Sequence, residues 1–266
     1  MDHAEFQRLI KQMGEEHYRT MPWREDTRPY YVLVSELMLQ QTQVSRVIPK
    51  FEAFISVFPS EVALAKASLA DVLKLWQGLG YNRRAKFLHE SAKRIVNEFD
   101  GAFPWDNKDI LSLPGVGINT AGAILAYAFN QPVQFVETNV RTVYIHHFFA
   151  DNFEIDDKEI MQKLEATLDR GHPREFYWAL MDYGSWLKAN GVRNISQSKH
   201  YKKQSALEGS VRQMRGRVIR ALTDGDLSDE QLRRVVTADN RYVTAVDGLI
   251  TDGLITRIDG VFRLTK

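Results

Sequence analysis

The chain has 266 residues, with 35 Lys and Arg side chains against 34 Asp and Glu, so its formal net charge is only +1. Its 44% hydrophobic and 26% charged residues are typical of a globular protein and exclude a disordered or collagen-like chain. The absence of cysteine excludes disulfide frameworks, cysteine nucleophiles, Cys-ligated zinc and thiolate-held iron–sulfur clusters.

The longest nearly apolar runs, Val32–Leu39 and Ala121–Phe129, are far shorter than the roughly 20 residues that span a bilayer. The N-terminal residues show neither the basic region nor the apolar region of a signal peptide. We therefore expect a cytoplasmic protein with no membrane partner.

Apolar residues recur at helical spacing along most of the first 190 residues. They predict a first helix over Ala4–Tyr18 and a buried helix over Tyr30–Gln41, which is apolar on nearly every side. Further helices are predicted over Val44–Val57, Ala70–Leu75, Arg83–Glu98, Asp109–Leu111, Asn119–Phe129, Asn139–Phe149, Lys158–Leu168 and Glu175–Asn190. Strand signals are almost absent before residue 250, so the predicted fold class of this part is all-α.

The last sixty residues follow a different pattern. A helix is predicted over Ser210–Leu222, and Ser228–Gln231 is a capping box that begins a second helix. A third helix is predicted over Asn240–Asp252, and an Asp-Gly turn at residues 259 and 260 then joins two short strands. Three helices followed by a hairpin resemble a winged-helix domain of the α+β class.

Basic residues cluster just before and within this C-terminal part. Eight basic side chains and one acid, Glu208, lie between Arg193 and Arg220. A cluster of this kind is typical of a protein that binds a polyanion, and a solvated linker is the alternative interpretation. The candidate phosphate contacts here are Lys199, Lys202 and Lys203.

Two glycines flank a valine in the segment Leu113–Ala121, which reads LPGVGINTA. Glycine permits a tight turn, and the N–H groups of the turn and of the following helix start have no partner within the helix. The arrangement resembles the hairpin of a helix–hairpin–helix motif, which binds a DNA phosphate whatever the base sequence. A plain turn between helices is the alternative. The predicted phosphate-binding residues are Gly115, Val116, Gly117 and Thr120.

Two glutamates are candidates for acid–base chemistry. Glu36 lies in the apolar helix over Tyr30–Gln41, where burial would raise its pKa toward the range of a general acid, although a solvated glutamate is the alternative. Glu137 precedes a predicted helix, where it is expected to stay ionised and could stabilise a developing cation. Its alternative role is to complement the helix dipole while Thr138 or Asn139 caps the helix.

Five segments occur in the order seen in the helix–hairpin–helix DNA glycosylases, and over about Met21–Trp186 the chain most resembles the MutY adenine glycosylases of that superfamily. The Glu36–Val44 stretch is the most specific of them. The segments are Pro22–Arg24, Ser35–Val44, Gly78–Tyr81, Leu113–Ala121 and Ala179–Gly184.

The resemblance implies a two-lobed helical fold that bends double-stranded DNA and flips one nucleotide out of the duplex. We expect a helix–hairpin–helix glycosylase domain over residues 1–192, a basic linker over 193–209 and the winged-helix-like domain over 210–266. The protein is expected to be a monomer, and to associate with the nucleoid if it is bacterial.

The resemblance also implies roles for particular residues. Glu36 matches the catalytic acid that protonates the departing purine and helps to activate water, and Glu137 matches the carboxylate that stabilises an oxocarbenium-like sugar. Gln41 and Tyr81 match residues that insert into the duplex around the lesion. The candidates for the base pocket and its specificity are Arg24, Leu39 and Asn119.

The chain departs from the family pattern at several points. The second carboxylate is usually Asp, and Glu137 is one methylene longer. Asn119 stands where bifunctional relatives carry a Schiff-base lysine, so a monofunctional enzyme that leaves the strand uncut is expected. Most members hold a four-cysteine iron–sulfur cluster after the segment that matches Tyr183–Trp186, where this chain has its basic cluster instead. The MutY domain that reads 8-oxoguanine is not recognisable.

We therefore predict a DNA repair glycosylase that hydrolytically removes a mispaired base, adenine opposite 8-oxoguanine or G, without a cofactor. The seven histidines show no ligand spacing, so no metal site is expected. Two alternatives remain open: a mismatch thymine or uracil glycosylase, and a non-catalytic DNA-binding protein on the same scaffold.

Overall fold

A computed structural model describes residues 1–201 and 205–266, in which helices dominate and a small sheet lies near the C-terminus. This confirms the predicted fold class. The helices in chain order are α1 (His3–Glu16), α2 (Pro22–Glu25), α3 (Pro29–Leu39), α4 (Val44–Val57), α5 (Glu61–Lys66), α6 (Leu69–Trp76), α7 (Arg83–Glu98), α8 (Asn107–Ser112), α9 (Ile118–Tyr127), α10 (Thr138–Phe148), α11 (Asp157–Thr167), α12 (Pro173–Ala189), α13 (Val211–Thr223), α14 (Asp229–Val236) and α15 (Tyr242–Thr251).

Two short α-helices and a four-residue 3-10 helix at Asn194–Gln197 were not predicted from the sequence. Helix α2 has four residues and α5 has six, which is less than two turns each. A helix this short shows no repeating apolar face, so its sequence signals are local ones, such as Pro22 at the first position and the Ser60 cap. The remaining helix ends lie within about two residues of the predicted ones, as expected for frayed termini.

The described residues divide into two compact units. The first unit comprises residues 1–32, 105–111 and 116–201, and the second comprises 33–104, 112–115 and 205–266. In the first unit, α12 packs against α1 and α10. Its core is rich in aromatic side chains: Phe135 stacks on Tyr177 with ring centroids 4.0 Å apart, and Phe6 lies 5.1 Å from Tyr144.

In the second unit, α7 packs against α5 and α6, and α13 packs against α6. Trp76 on α6 is fully buried and meets Phe54 edge-on, with ring centroids 6.2 Å apart. The contacts of α13 place the C-terminal helices in one compact unit with residues 33–104. Whether residues 210–266 also fold on their own, as the predicted domain boundary implies, stays a prediction.

The C-terminal strands are β1 (Leu227–Ser228), β2 (Ile255–Ile258) and β3 (Val261–Leu264), in the antiparallel order β1-β3-β2. Asp259 and Gly260 both have positive φ, as a type I′ turn requires, so the hairpin prediction is confirmed. The capping box at Ser228 and Gln231 is also present. The two-residue strand β1 was not predicted, because so short a segment carries no alternation.

Among the described helices, none is both long enough and apolar enough to cross a membrane.

Candidate active site

Glu36 lies near the C-terminal end of α3 and is half-buried, whereas its neighbours on both sides are buried. The helix is apolar on nearly all sides, with Leu33 and Leu37 fully buried. Such a helix holds a carboxylate in a fixed place because its own packing leaves no freedom to rotate. The structure therefore confirms that the helix is buried, while the raised pKa expected for Glu36 stays a prediction.

Arg84 on α7 holds the end of that helix. Its guanidinium donates to the carbonyl oxygens of Leu37 at 2.6 Å and Met38 at 2.8 Å, two groups that a helix C-terminus leaves without partners. It also donates to the carbonyl oxygens of Leu79 at 3.0 Å and Gly80 at 2.9 Å. Burial lowers the pKa of Arg84 to about 10, which still keeps the side chain charged at neutral pH.

The sequence analysis missed Arg84, since a charged residue within an amphipathic helix is normally assigned to its solvated face. The only local signal is its position three residues after Tyr81. The side chain connects two predicted parts of the site, because one guanidinium fixes both the helix of Glu36 and the loop of Tyr81.

The two residues predicted to enter the duplex, Gln41 and Tyr81, share an unusual backbone conformation. Gln41 has φ 57° and Tyr81 has φ 47°, the left-handed region that residues other than glycine rarely occupy. Strain of this kind, of order 1–3 kcal/mol, persists where the surroundings enforce it and concentrates at functional sites. Both side chains line one groove of the second unit, and Leu39 lies two residues before Gln41 at the end of α3.

The first half of the predicted phosphate-binding hairpin is fixed in the second unit. Ser91 donates to the carbonyl oxygen of Pro114 at 2.9 Å, and Arg94 donates to that of Ser112. Gly115 has φ 77°, and a Cβ there would come within 2.8 Å of the Cβ of Phe87. Only glycine satisfies both the conformation and the close approach, which explains its place in the hairpin.

The second half of the hairpin begins α9 in the first unit. Gly117 is the N-cap and carries no side-chain cap, so the first N–H groups of the helix have no partner within it. Val116 and Thr120 are buried, whereas Ile118 is 75% exposed. A helix N-terminus favours an anion because its first N–H groups and its dipole carry partial positive charge, and phosphate binding by this hairpin stays a prediction.

Asn119 holds the chain that leads to Glu137. Its Nδ2 donates to the carbonyl oxygen of Val136 at 2.9 Å, and its Oδ1 accepts from the N–H of Val136 at 3.3 Å. The amide thus forms two hydrogen bonds to the backbone of one residue, much as a neighbouring strand would. Asn119 is therefore placed beside Glu137 in the first unit, as a residue that positions the segment.

Glu137 is the N-cap of α10, and its side chain does not cap the helix. Burial raises the pKa of Glu137, while the nearby charges of Arg141 and Lys188 lower it in part. The expectation that the helix N-terminus alone would keep this carboxylate ionised is therefore incomplete. Desolvation opposes ionisation here, and two cations counter it.

Arg24 is only 6% exposed and belongs to a buried ion pair of the first unit. Its two terminal nitrogens lie 2.7 and 3.0 Å from the carboxylate of Asp182 on α12, which also accepts from Arg19. Its guanidinium also lies 5.3 Å from the ring of Tyr18 and 5.2 Å from that of Trp178. These contacts tie α2 to α12, so a role for Arg24 in a base pocket stays a prediction.

The segment after α12 does not fit a four-cysteine cluster, because the chain supplies no thiolate. Hydrogen bonds hold this segment in the first unit. Asn194 donates to the carbonyl oxygen of Thr142 at 2.9 Å, and Gln197 donates to two carbonyl oxygens of residues 150–152. Within residues 1–201 and 205–266, no group of three or more His, Asp or Glu side chains is placed to hold a metal ion.

Of the three candidate lysines in the basic cluster, only Lys199 is described. Its Nζ lies 3.7 Å from a carboxylate oxygen of Asp156, and the side chain is 62% exposed. Lys202 and Lys203 lie outside the described residues. An exposed ion pair of this kind is weak. A DNA phosphate could therefore compete with Asp156 for the ammonium group of Lys199.

Three comparisons with known proteins bear on this geometry. Residues 34–170 match the family described as the HhH-GPD superfamily base excision DNA repair protein. The adenine DNA glycosylase of Buchnera aphidicola subsp. Baizongia pistaciae is 38% identical over 184 residues, which are 68% of this chain and 52% of that protein. This chain therefore spans about half of the length of that relative.

The adenine DNA glycosylase of Mycolicibacterium smegmatis is 37% identical over 269 residues, and the match covers 92% of this chain and 91% of that protein. Among solved structures, a thermostable thymine-DNA glycosylase superposes with a TM-score of 0.61 at 26% identity, over 69% of this chain and 86% of that one. The similarity to adenine glycosylases thus extends into the C-terminal residues, whereas the structural match covers about two thirds of the chain.

Proposed function

The chain belongs to the HhH-GPD superfamily of base excision DNA repair proteins, and on that premise we propose that it is a monofunctional adenine DNA glycosylase. The observation that carries the proposal is the placement of Glu36 on a buried helix whose end is fixed by Arg84. The substrate is double-stranded DNA in which adenine is mispaired with 8-oxoguanine or guanine.

Glu36 acts as the general acid. It gives its proton to the adenine ring, so the glycosidic bond between the sugar C1′ and the base nitrogen breaks with the electron pair leaving on neutral adenine. The carboxylate then accepts a proton from water, whose oxygen bonds to C1′. Products are free adenine and an abasic site, and Glu36 ends in its starting protonation state.

Glu137 stabilises the positive charge that grows on the sugar. A developing cation favours the ionised carboxylate, which offsets the burial that raises the pKa of Glu137 in the free protein. Asn119 keeps the Val136–Glu137 segment in place through its two hydrogen bonds. The extra methylene of Glu137, compared with the usual Asp, lets the carboxylate extend farther from the helix end.

The amide of Asn119 cannot form a Schiff base, so the enzyme leaves the DNA strand intact. Gln41 and Tyr81 fill the space left by the extruded nucleotide, and stacking of the tyrosine ring offsets part of the unstacking cost of a few kcal/mol, roughly. The hairpin at Gly115–Gly117 binds a phosphate, which positions the strand without reading its bases.

A specific observation favours one other activity, since the structurally similar thymine-DNA glycosylase is 26% identical to this chain. Single-turnover assays on four duplexes distinguish the two, with A opposite 8-oxoguanine, A opposite G, T opposite G and U opposite G. We expect release of adenine from the first two, with strand breaks only after alkali. Release of thymine or uracil alone would establish the other activity, and release of no base would leave a DNA-binding protein.

A further inference from the structure

A groove of about 550 Å³ in the second unit combines the loop of Tyr81 with a helix of the C-terminal segment. The loop at residues 77–82 forms one side, together with Gln41 and Arg46. Helix α13 contributes residues at helical spacing, so a single face of that helix lines the groove. These α13 residues are Arg212, Gln213, Gly216, Arg217, Ile219 and Arg220.

Four arginines and no acidic side chain are among the described residues that line this groove. Arg46, Arg217 and Arg220 are exposed, and Arg212 is half-buried. Across residues 1–201 and 205–266, none of the four has a carboxylate oxygen within 4.0 Å of its guanidinium. A concave surface with four positive charges that no carboxylate contacts directly attracts anions.

Asp239 feels the charge of Arg217 but is bound to another arginine. Hydrogen bonds from Arg241, including two from its Nε at 2.9 and 3.0 Å, lower the pKa of Asp239, and the charge of Arg217 makes the smallest contribution. Arginines grouped on one face destabilise the folded state, because like charges repel. Their grouping without acids on one helix face is therefore explained better by a polyanionic ligand than by folding.

Arg212 joins α13 to the loop of Tyr81. Its guanidinium lies 4.9 Å from the centroid of the tyrosine ring, and it also donates a hydrogen bond to the hydroxyl. The other terminal nitrogen donates to the carbonyl oxygen of Ser205 at 3.1 Å. The arginine face of α13 is consequently contiguous with a residue proposed to enter the duplex.

The usual way in which a winged helix reads DNA does not suit this chain. In helix–turn–helix proteins the second helix of the motif enters the major groove, which here would be α15 (Tyr242–Thr251). That helix contains Asp247 and no Lys or Arg. The positive charge of the C-terminal segment lies on its first helix instead.

We propose that the groove between α13 and the loop at residues 77–82 binds the phosphodiester backbone of DNA, with Arg46, Arg217 and Arg220 as its phosphate contacts. The C-terminal segment thereby extends the DNA-binding surface beyond the hairpin at Gly115–Gly117. The inference rests on the proposed function in taking DNA as the ligand, but it requires no base to be excised.

The test compares two double variants that each remove two positive charges. Arg217→Gln/Arg220→Gln removes two groove arginines. Arg233→Gln/Arg234→Gln is the matched control on α14, where each arginine already pairs with an acid of its own helix, at 2.7 and 3.0 Å. The affinity of the full chain for an undamaged, fluorescently labelled duplex is measured against salt concentration, and thermal unfolding confirms that both variants fold.

We expect the groove variant to bind about ten-fold more weakly or worse, with a salt slope shallower by up to about two units, while the control keeps the parent slope. A groove variant that keeps the parent slope, equal losses in both variants, or a parent that binds no duplex would overturn the inference. Adenine release is assayed separately, so a parent that binds DNA through the groove yet releases no base contradicts only the proposed function.

Discussion

At the scale of single residues, Glu137 combines two opposed effects. Burial disfavours its ionised form, whereas Arg141 and Lys188 favour it, and the balance raises its pKa above the ordinary value of 4.5. A group with a raised native pKa binds its proton more tightly in the folded than in the unfolded state. Its contribution to stability is therefore complete below pH 4.5 and is lost as the pH rises through the raised value.

The raised pKa of Glu137 leads to a prediction for Glu137→Gln, because glutamine mimics the protonated side chain. At neutral pH the variant should be more stable than the parent, by about 1.4 kcal/mol for each unit by which the native pKa is raised, and its base excision should be slower. The difference in stability should vanish below pH 4.5. Urea unfolding at a series of pH values measures it.

Glu52→Gln is the matched control, because it changes an exposed glutamate on α4. We expect this variant to unfold like the parent throughout. A Glu137→Gln variant that is less stable than the parent at neutral pH would show that attraction by the nearby charges of Arg141 and Lys188 outweighs the burial of the carboxylate.

Other candidate site residues show how much about a single position the sequence predicts. Asn119 and Glu36 were predicted from the type and place of each residue in a motif. The hydrogen bonds of Asn119 to Val136 were not, because they join positions 17 residues apart through an exposed amide. The positive φ of Gln41 and Tyr81 was also unpredictable, since neither residue is a glycine.

At the scale of elements, the end of α3 and the loop of Tyr81 depend on one side chain. Arg84 donates to four carbonyl oxygens and, at 3.2 Å, to the hydroxyl of Thr42. A lysine could preserve the charge but not the planar fork that reaches several acceptors together. The unpartnered carbonyl groups would then be buried at a cost.

We therefore expect Arg84→Lys to lower the free energy of unfolding by about 2–4 kcal/mol. Arg83→Lys is the control, because the neighbouring arginine is 61% exposed and lies 3.7 Å from Asp252. That change should cost under about 0.5 kcal/mol. Urea unfolding compares the two, and equal losses would show that Arg84 does not hold these elements.

Element positions followed closely from the sequence. Periodic apolar residues predicted all the longer helices, and the capping box and the Asp-Gly turn predicted the start of α14 and the hairpin. Contacts between elements could not be predicted from the sequence. The periodicity of apolar residues indicates which face of an element is buried, but not which polar groups meet there. The ion pair of Arg24 with Asp182, on residues far apart in the chain, is an example.

At the scale of the whole molecule, a net charge of +1 conceals a strongly uneven distribution. The described residues of the basic cluster after residue 193 are divided between the two compact units. Its first part is held to the first unit by hydrogen bonds around Asn194 and Gln197, and its second part lines the groove with α13. The sequence showed where the basic residues lie along the chain. It could not show which compact unit each belongs to, because that depends on tertiary packing.

The central claim is that Glu36 supplies the proton for loss of adenine. The most direct test is a single-turnover reaction of the parent and Glu36→Gln with a duplex carrying adenine opposite 8-oxoguanine, with free adenine quantified by chromatography. We expect the variant to bind the duplex like the parent and to release adenine at least about 100-fold more slowly. Release of adenine at the parent rate by Glu36→Gln would contradict the account.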